Sequence, residues 1–227
     1  MILSIHVPKA GGNSFRQLLE TEFGPRFMKD YGDWAGFRVP EAIERVRIRT
    51  EKMRGRRDEL RGKYDIIHGH FAPEKYLGLF PKEEFVAFFR DPYQQSISHY
   101  WFLVRNPQRD HLEEKMLHEA KMTIYDYLRW EAFHDHQTQY LGGLSIQDLS
   151  MVGLAEEFYR SVDLFNATFG CNLHGEAFLN SNPDHEGAPY KVDAEVRKLV
   201  NRYRARDVEN YRRAKEIFAR RTLKAAV

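Results

Sequence analysis

Ile2-Leu3-Ser4-Ile5-His6-Val7-Pro8-Lys9-Ala10-Gly11-Gly12-Asn13-Ser14-Phe15 is the stretch from which the fold is read. The apolar run from Ile2 to Val7 predicts a buried strand, broken at Pro8 and turned through Gly11 and Gly12. Asn13 or Ser14 is the candidate helix cap. Phe15, Leu18, Leu19 and Phe23 then recur at the spacing of one helical face. Strand, glycine turn and helix N-terminus make an anion cradle, because unpaired N–H groups and the helix dipole converge on one point. Lys9 adds a full positive charge at the tip of the turn. Many such turns hold glycine and bind nothing, so the flanking sequence decides.

Working outward, Tyr64 to Ile67 reads as a second strand, running into His68-Gly69-His70-Phe71. Phe85 to Phe89 is a third, apolar throughout and therefore central and parallel in expectation. It ends in Arg90-Asp91-Pro92, after which Tyr93 to Val104 has a helical pattern. Strands alternating with helical stretches predict an α/β fold with a parallel sheet. Ligands of such folds sit beyond the carboxyl ends of the strands. Lys9 with its glycines, the two histidines and Arg90 all fall there.

The remaining segments are mainly helical. Gly24-Pro25 closes the first helix, and the segment to Pro40 is loop-like and aromatic, with Phe27, Tyr31, Trp34 and Phe37. Glu41 to Lys63 reads as one helix whose arginines, from Arg45 to Arg61, form a solvated face or attract an anionic substrate. Thr123 to Asp126 resembles a capping box opening a helix through Trp130. Leu154, Phe158, Val162, Phe165 and Phe169 predict a helix stopped by Gly170. Val196, Leu199, Val200, Tyr203, Val208, Tyr211 and Phe218 predict another. Between them, Asn180 to Pro189 is a polar loop rich in turn formers. No linker or repeat divides the chain, and a single domain over residues 1–227 is expected.

Bulk properties exclude little but point one way. Of the 227 residues, 42% are hydrophobic, enough for a sizeable core. The net charge of +2 compels neither a nucleic-acid nor a membrane partner. Cys171 is the single cysteine, so no intrachain disulfide or cysteine-rich zinc site can form. No apolar run approaches the roughly 18 residues of a membrane span, and the chain enters its first strand at once. A cytoplasmic protein is the expectation.

Two motifs carry the chemistry. A P-loop of the form G-x-x-x-x-G-K-[ST] is absent, since Lys9 precedes its glycines, which weakens an ATP-hydrolysing reading and leaves the phosphate cradle intact. Pro92 suits the first position of a helix, so that Arg90 and Ser98 can reach one anion from the strand end and the following helix. The arginine fork donates paired hydrogen bonds to phosphate. An internal ion pair of Arg90 with Asp91 is the plainer alternative.

Taken together, Pro8-Lys9-Ala10-Gly11-Gly12-Asn13-Ser14-Phe15 and Arg90-Asp91-Pro92 through Ser98-His99-Tyr100 resemble the two phosphate motifs of one enzyme family. These are the sulfotransferases that use 3′-phosphoadenosine 5′-phosphosulfate (PAPS), in particular the branch related to heparan sulfate 2-O-sulfotransferase. His68-Gly69-His70, Gln137 to Gly143, and the late helix with Asp207 and Tyr211 extend the likeness over nearly the whole chain. Two departures stand out: the family often has arginine where Gln95 and Gln139 stand, which bears on cofactor grip or acceptor choice.

The resemblance implies a P-loop-like three-layer fold, a central parallel sheet flanked by helices with a helical C-terminal half. It also implies sulfuryl transfer from PAPS to an acceptor hydroxyl, a carbohydrate being one candidate, with no metal. Lys9 would contact the bridging oxygen, and Ala10, Gly11, Gly12, Asn13, Ser14 and Phe15 would hold the 5′-phosphate through backbone N–H groups. Arg90 and Ser98 would take the 3′-phosphate. His70 is the expected base, assisted or oriented by His68, while His134 and His136 read as structural or substrate-facing. Ser181 and Lys191 are candidates at the adenosine end, and the segment Tyr31 to Phe37 and the basic helix are candidates for the acceptor side. The competing readings are a small nucleotide-dependent kinase and a non-catalytic nucleotide- or glycan-binding module.

Overall fold

The structure, a computed structural model, describes residues 1–33, 40–106, 112–175 and 188–225. Five strands form one all-parallel sheet: β1 (Ile2–Ile5), β2 (Phe27–Lys29), β3 (Ile66–Gly69), β4 (Phe85–Phe89) and β5 (Met151–Leu154), in the order β2-β3-β1-β4-β5. The helices are α1 (Gly12–Phe23), α2 (Pro40–Met53), α3 (Arg57–Lys63), α4 (Glu74–Leu77), α5 (Pro92–Arg105) and α6 (Leu112–Glu119). They continue as α7 (Ile124–Arg129), α8 (His136–Gln139), α9 (Phe158–Phe169), α10 (Ala194–Tyr203) and α11 (Ala205–Ala225). The expected α/β architecture, a parallel sheet with flanking helices and a helical C-terminal half, is the observed one.

β1 is central because it is apolar on both faces and accepts partners on both sides. Ser4 and Ile5 lie opposite His68 and Gly69 of β3, and Leu3 to Ile5 lie opposite Phe85 to Ala87 of β4. The chain leaves β1 toward β2 and leaves β4 toward β5, in opposite directions along the sheet. The carboxyl ends of these two neighbours therefore open a crevice at a topological switch point. Lys9 follows one strand and Arg90 the other.

Two apolar clusters hold the molecule. In the first, α1 and α9 pack on the sheet, with the Phe15 ring between those of Phe88 and Phe165 at centroid distances of 4.6 and 5.1 Å. Full burial of such a side chain contributes about 1.5–3 kcal/mol. In the second, Ile97 and Leu103 of α5 meet Tyr127, Leu128, Phe133, Val196, Leu199 and Val200.

Several sequence expectations shift. β1 ends at Ile5 and β3 runs to Gly69, so His68 lies within its strand and His70 just beyond it. The cap of α1 is Gly11, not Asn13 or Ser14. The helix expected over 41–63 is two helices, parted near Gly55, whose φ is +73°. Leu154 ends β5 instead of opening a helix, and β2 and β5 are strands beyond the three expected. The tail breaks at Arg204 into α10 and α11. The Thr123 capping box is formed with both of its hydrogen bonds, and Gly170 closes α9 at φ +65°. Trp34, Phe37 and Ser181 lie outside the described residues, as does most of the polar loop.

Candidate active site

The turn after β1 is built from unusual backbone. Lys9, a non-glycine residue, has φ +64°, and Gly11 has φ +87°. Left-handed backbone costs a residue other than glycine about 1–2 kcal/mol, and such strain collects at functional sites. The Ala10 N–H bonds the Val7 carbonyl at 3.3 Å, and the Phe15 N–H makes the first intrahelical bond, to Gly11, at 3.1 Å. Those two donors are spent inside the turn. The N–H groups of Gly12, Asn13 and Ser14 precede the first intrahelical bond and belong to the positive end of α1. The Lys9 ammonium lies over the Phe102 ring, 4.7 Å from its centroid.

Across the crevice, Arg90 is fixed by its main chain. Gln137 accepts from its N–H at 3.0 Å and donates to its carbonyl at 2.9 Å. The guanidinium reaches back and donates to the Lys9 carbonyl at 3.2 Å. The two predicted phosphate motifs are thus joined directly. Asp91 caps α5 by accepting from the N–H groups of Tyr93 and Gln94, with Pro92 at the first helical position. Ser98, buried, follows on the same helix. Gln137 is held in turn by Asp207 of α11, whose carboxylate accepts from the N–H groups of Gln137 and Thr138 and from the Thr138 hydroxyl. Burial raises the Asp207 pKa, while Thr138 and Arg204 pull it back down.

Gln95 and Gln139, the two departures, are buried brackets. The Gln95 amide donates to the Pro8 carbonyl at 3.1 Å and to His136 Nδ1 at 3.2 Å, and accepts from Arg204 Nη1 at 3.2 Å. Gln139 donates to the carbonyls of Ala132 and His134. Arg204 is wholly buried and also donates to the Ser96 hydroxyl at 2.7 Å. A positive charge therefore lies beneath the first turn of α5.

The third group surrounds His70. Its Nδ1 faces the His6 carbonyl at 2.5 Å. A carbonyl only accepts, so this nitrogen carries the proton and Nε2 keeps its lone pair. The His6 ring stacks on His70 and His68 at 4.2 and 5.1 Å and meets the Tyr31 hydroxyl at 2.9 Å through Nδ1. Burial, chiefly, lowers the pKa of His70 to about 4 and that of His68 to about 3, with Arg16 of α1 adding repulsion. Both are neutral at pH 7. His68 is buried against the Ser4 hydroxyl at 2.9 Å, whereas His70 is partly exposed.

The segment bearing Tyr31 is pinned by a buried ion cluster: Lys75 pairs with Asp30 and Asp33, Arg49 with Asp33 at 2.7 Å, and the Tyr76 hydroxyl donates to Asp30 at 2.7 Å. His136 is buried and stacks on His99 at 4.6 Å, and the partly exposed His134 stacks on Tyr203. Lys191 is exposed. Much of the basic helix is neutralised locally, by pairs such as Arg47 with Glu44 and Arg54 with Glu51.

Sequence reasoning missed His6, Arg16 and Arg204. The one signal for His6 was a polar residue at the end of an apolar run, beside the lysine turn. A separate cavity of about 560 Å³ lies between α11 and residues 142–146, and none of Lys9, His70 or Arg90 lines it. Among the described residues no trio of acidic, histidine or cysteine side chains is arranged for a metal, and no helix is long and apolar enough to cross a membrane.

No family model matches the chain, and no curated protein matches it. Among solved structures it is similar to the crystal structure of a sulfotransferase from Alicyclobacillus acidocaldarius, with a TM-score of 0.47, 16% sequence identity and 92% of each chain covered.

Proposed function

We propose that this chain is a sulfotransferase that uses PAPS as donor and an alcohol, with carbohydrates as the first class to test, as acceptor. The observation that carries the reading is the bridge from Arg90 to the Lys9 carbonyl, which unites two anion-binding motifs beside a histidine of fixed tautomer. The residues present suit such a donor: a lysine and an arginine stand at adjacent strand ends beside a helix N-terminus, and the nearby Asp91 and Glu156 carboxylates are engaged by the N–H groups of Tyr93 and Gln94 and by Asp91 N–H and the Tyr211 hydroxyl. Bound PAPS would supply a sulfuryl group on a good phosphate leaving group.

The chain's own residues do the rest. First-turn N–H groups of α1 hold the 5′-phosphate, and Arg90 with Ser98 holds the 3′-phosphate. Lys9 exchanges the Phe102 face for the oxygen that takes up negative charge as its bond to sulfur breaks, an electrostatic contribution of the kind that dominates such transfers. His70 Nε2 accepts the acceptor's proton as the new oxygen–sulfur bond forms. A general base of this type contributes roughly 10²–10⁴-fold. The branch near heparan sulfate 2-O-sulfotransferase is favoured by His68-Gly69-His70, and the lone Cys171 suits a reducing cytoplasm.

The test is a transfer assay with radiolabelled PAPS across glycan, lipid and small-alcohol acceptors. Labelled product with stoichiometric release of adenosine 3′,5′-bisphosphate is the expected result. Phosphoryl transfer from ATP with no sulfuryl transfer would replace this reading by the kinase one.

A further inference from the structure

Gly11 and Gly12 stand side by side for different reasons. Gly11 needs its positive φ. Gly12 does not, since its φ is ordinary, but a Cβ there would fall 1.9 Å from Cδ2 and 2.2 Å from Nε2 of His6. The His6 ring fills the space that a side chain would take, directly under the first turn of the donor helix. That ring cannot swing aside cheaply. It is stacked on His70 and His68 and bonded to Tyr31. Its main chain is equally committed, with N–H to the Gly69 carbonyl at 2.9 Å and carbonyl to His70 Nδ1.

We propose that His6 is a positioning residue: its ring, wedged beneath Gly12, and its carbonyl, on Nδ1 of His70, hold the base and the donor loop in one fixed relation. This inference rests on the sulfotransferase reading and deepens it. Sub-ångström placement matters because transfer needs the base, the acceptor oxygen and the donor aligned at once. The titratable and charged groups around His70 are His6 just after β1, His68 on β3, Tyr31 after β2, Arg16 on α1, His99 on α5, His136 on α8 and Tyr140 after α8. Removing the His6 ring admits water to the His70 face, so the His70 pKa rises from about 4 toward its ordinary 6.5. A base works only when deprotonated, so the acid limb of kcat/KM then moves to higher pH.

The experiment compares Gly12→Ala, His6→Ala and the double variant, reading adenosine 3′,5′-bisphosphate binding, turnover and the pH profile. Gly12→Ala alone should weaken bisphosphate binding at least tenfold. Adding His6→Ala removes the clash and should restore that binding. The double variant should still turn over at least tenfold more slowly, with its acid limb raised by a pH unit or more. Normal binding by Gly12→Ala, or a folded, binding double variant whose acid limb does not move, overturns the proposal. Absence of transfer by the unmodified protein to every acceptor is a different failure, and it removes the sulfotransferase reading itself.

Discussion

At the scale of single residues, Lys9 and Arg90 do different work although the Arg90 guanidinium is bonded to the Lys9 main chain. Arg90 is tied down at its N–H, its carbonyl and its guanidinium, as suits a residue that must present a fixed fork. Lys9 rests on an aromatic face, an interaction of about 0.5–2 kcal/mol that a full anion readily outcompetes. Its role belongs to the transition state, where charge develops on the leaving oxygen. Lys9→Ala should therefore lower kcat by roughly 10²–10³-fold while leaving the Kd for adenosine 3′,5′-bisphosphate within a few-fold of normal. Steady-state kinetics beside calorimetry separates the two, and a loss confined to Kd would return Lys9 to simple binding. The residues hardest to read in advance were those whose partners are remote in sequence. Nothing near Gln95 announces that its amide will bracket Pro8, His136 and Arg204, and His6 looks like one more strand residue until the Gly12 gap is seen.

Elements were legible where one periodicity persisted. α1 follows from its apolar spacing, α5 from its helical pattern after Pro92, α7 from its capping box, and β4 from an unbroken apolar run. β2 has three residues, too few for a pattern. β5 carries Gly153, where a Cβ would meet the Phe88 ring, and its Leu154 falls in phase with the apolar face of α9. A short buried strand feeding a helix is indistinguishable by period from an early start to that helix. Positions held by tertiary contact are equally silent, and Asp207 is the main example. It sits in the first turn of α11 yet serves α8, taking three donors and so aiming Gln137 at Arg90. Asp207→Ala strands those buried donors and should cost about 3 kcal/mol or more of stability. Urea unfolding measures the loss, and at concentrations where the variant remains folded its bisphosphate affinity should also fall. A variant as stable as the parent would show that α8 is held by other means.

On the scale of the whole molecule, the strand order matters more than any motif. Placing β1 beside β4 with their connections diverging brings the Lys9 turn and the Arg90 turn to one crevice, and β3 on the other flank of β1 adds His70. The sequence announced the strand ends as separate polar clusters, and only the sheet makes them neighbours. In the proposed function this crevice grips a nucleotide by phosphates at both ends. Calorimetric titration of the intact protein with adenosine 3′,5′-bisphosphate, AMP and ATP tests it most directly. The bisphosphate should bind at least 100-fold tighter than AMP, about 2.7 kcal/mol by the affinity relation, with ATP weaker than the bisphosphate. Equal affinities for all three, or a preference for ATP, would contradict it.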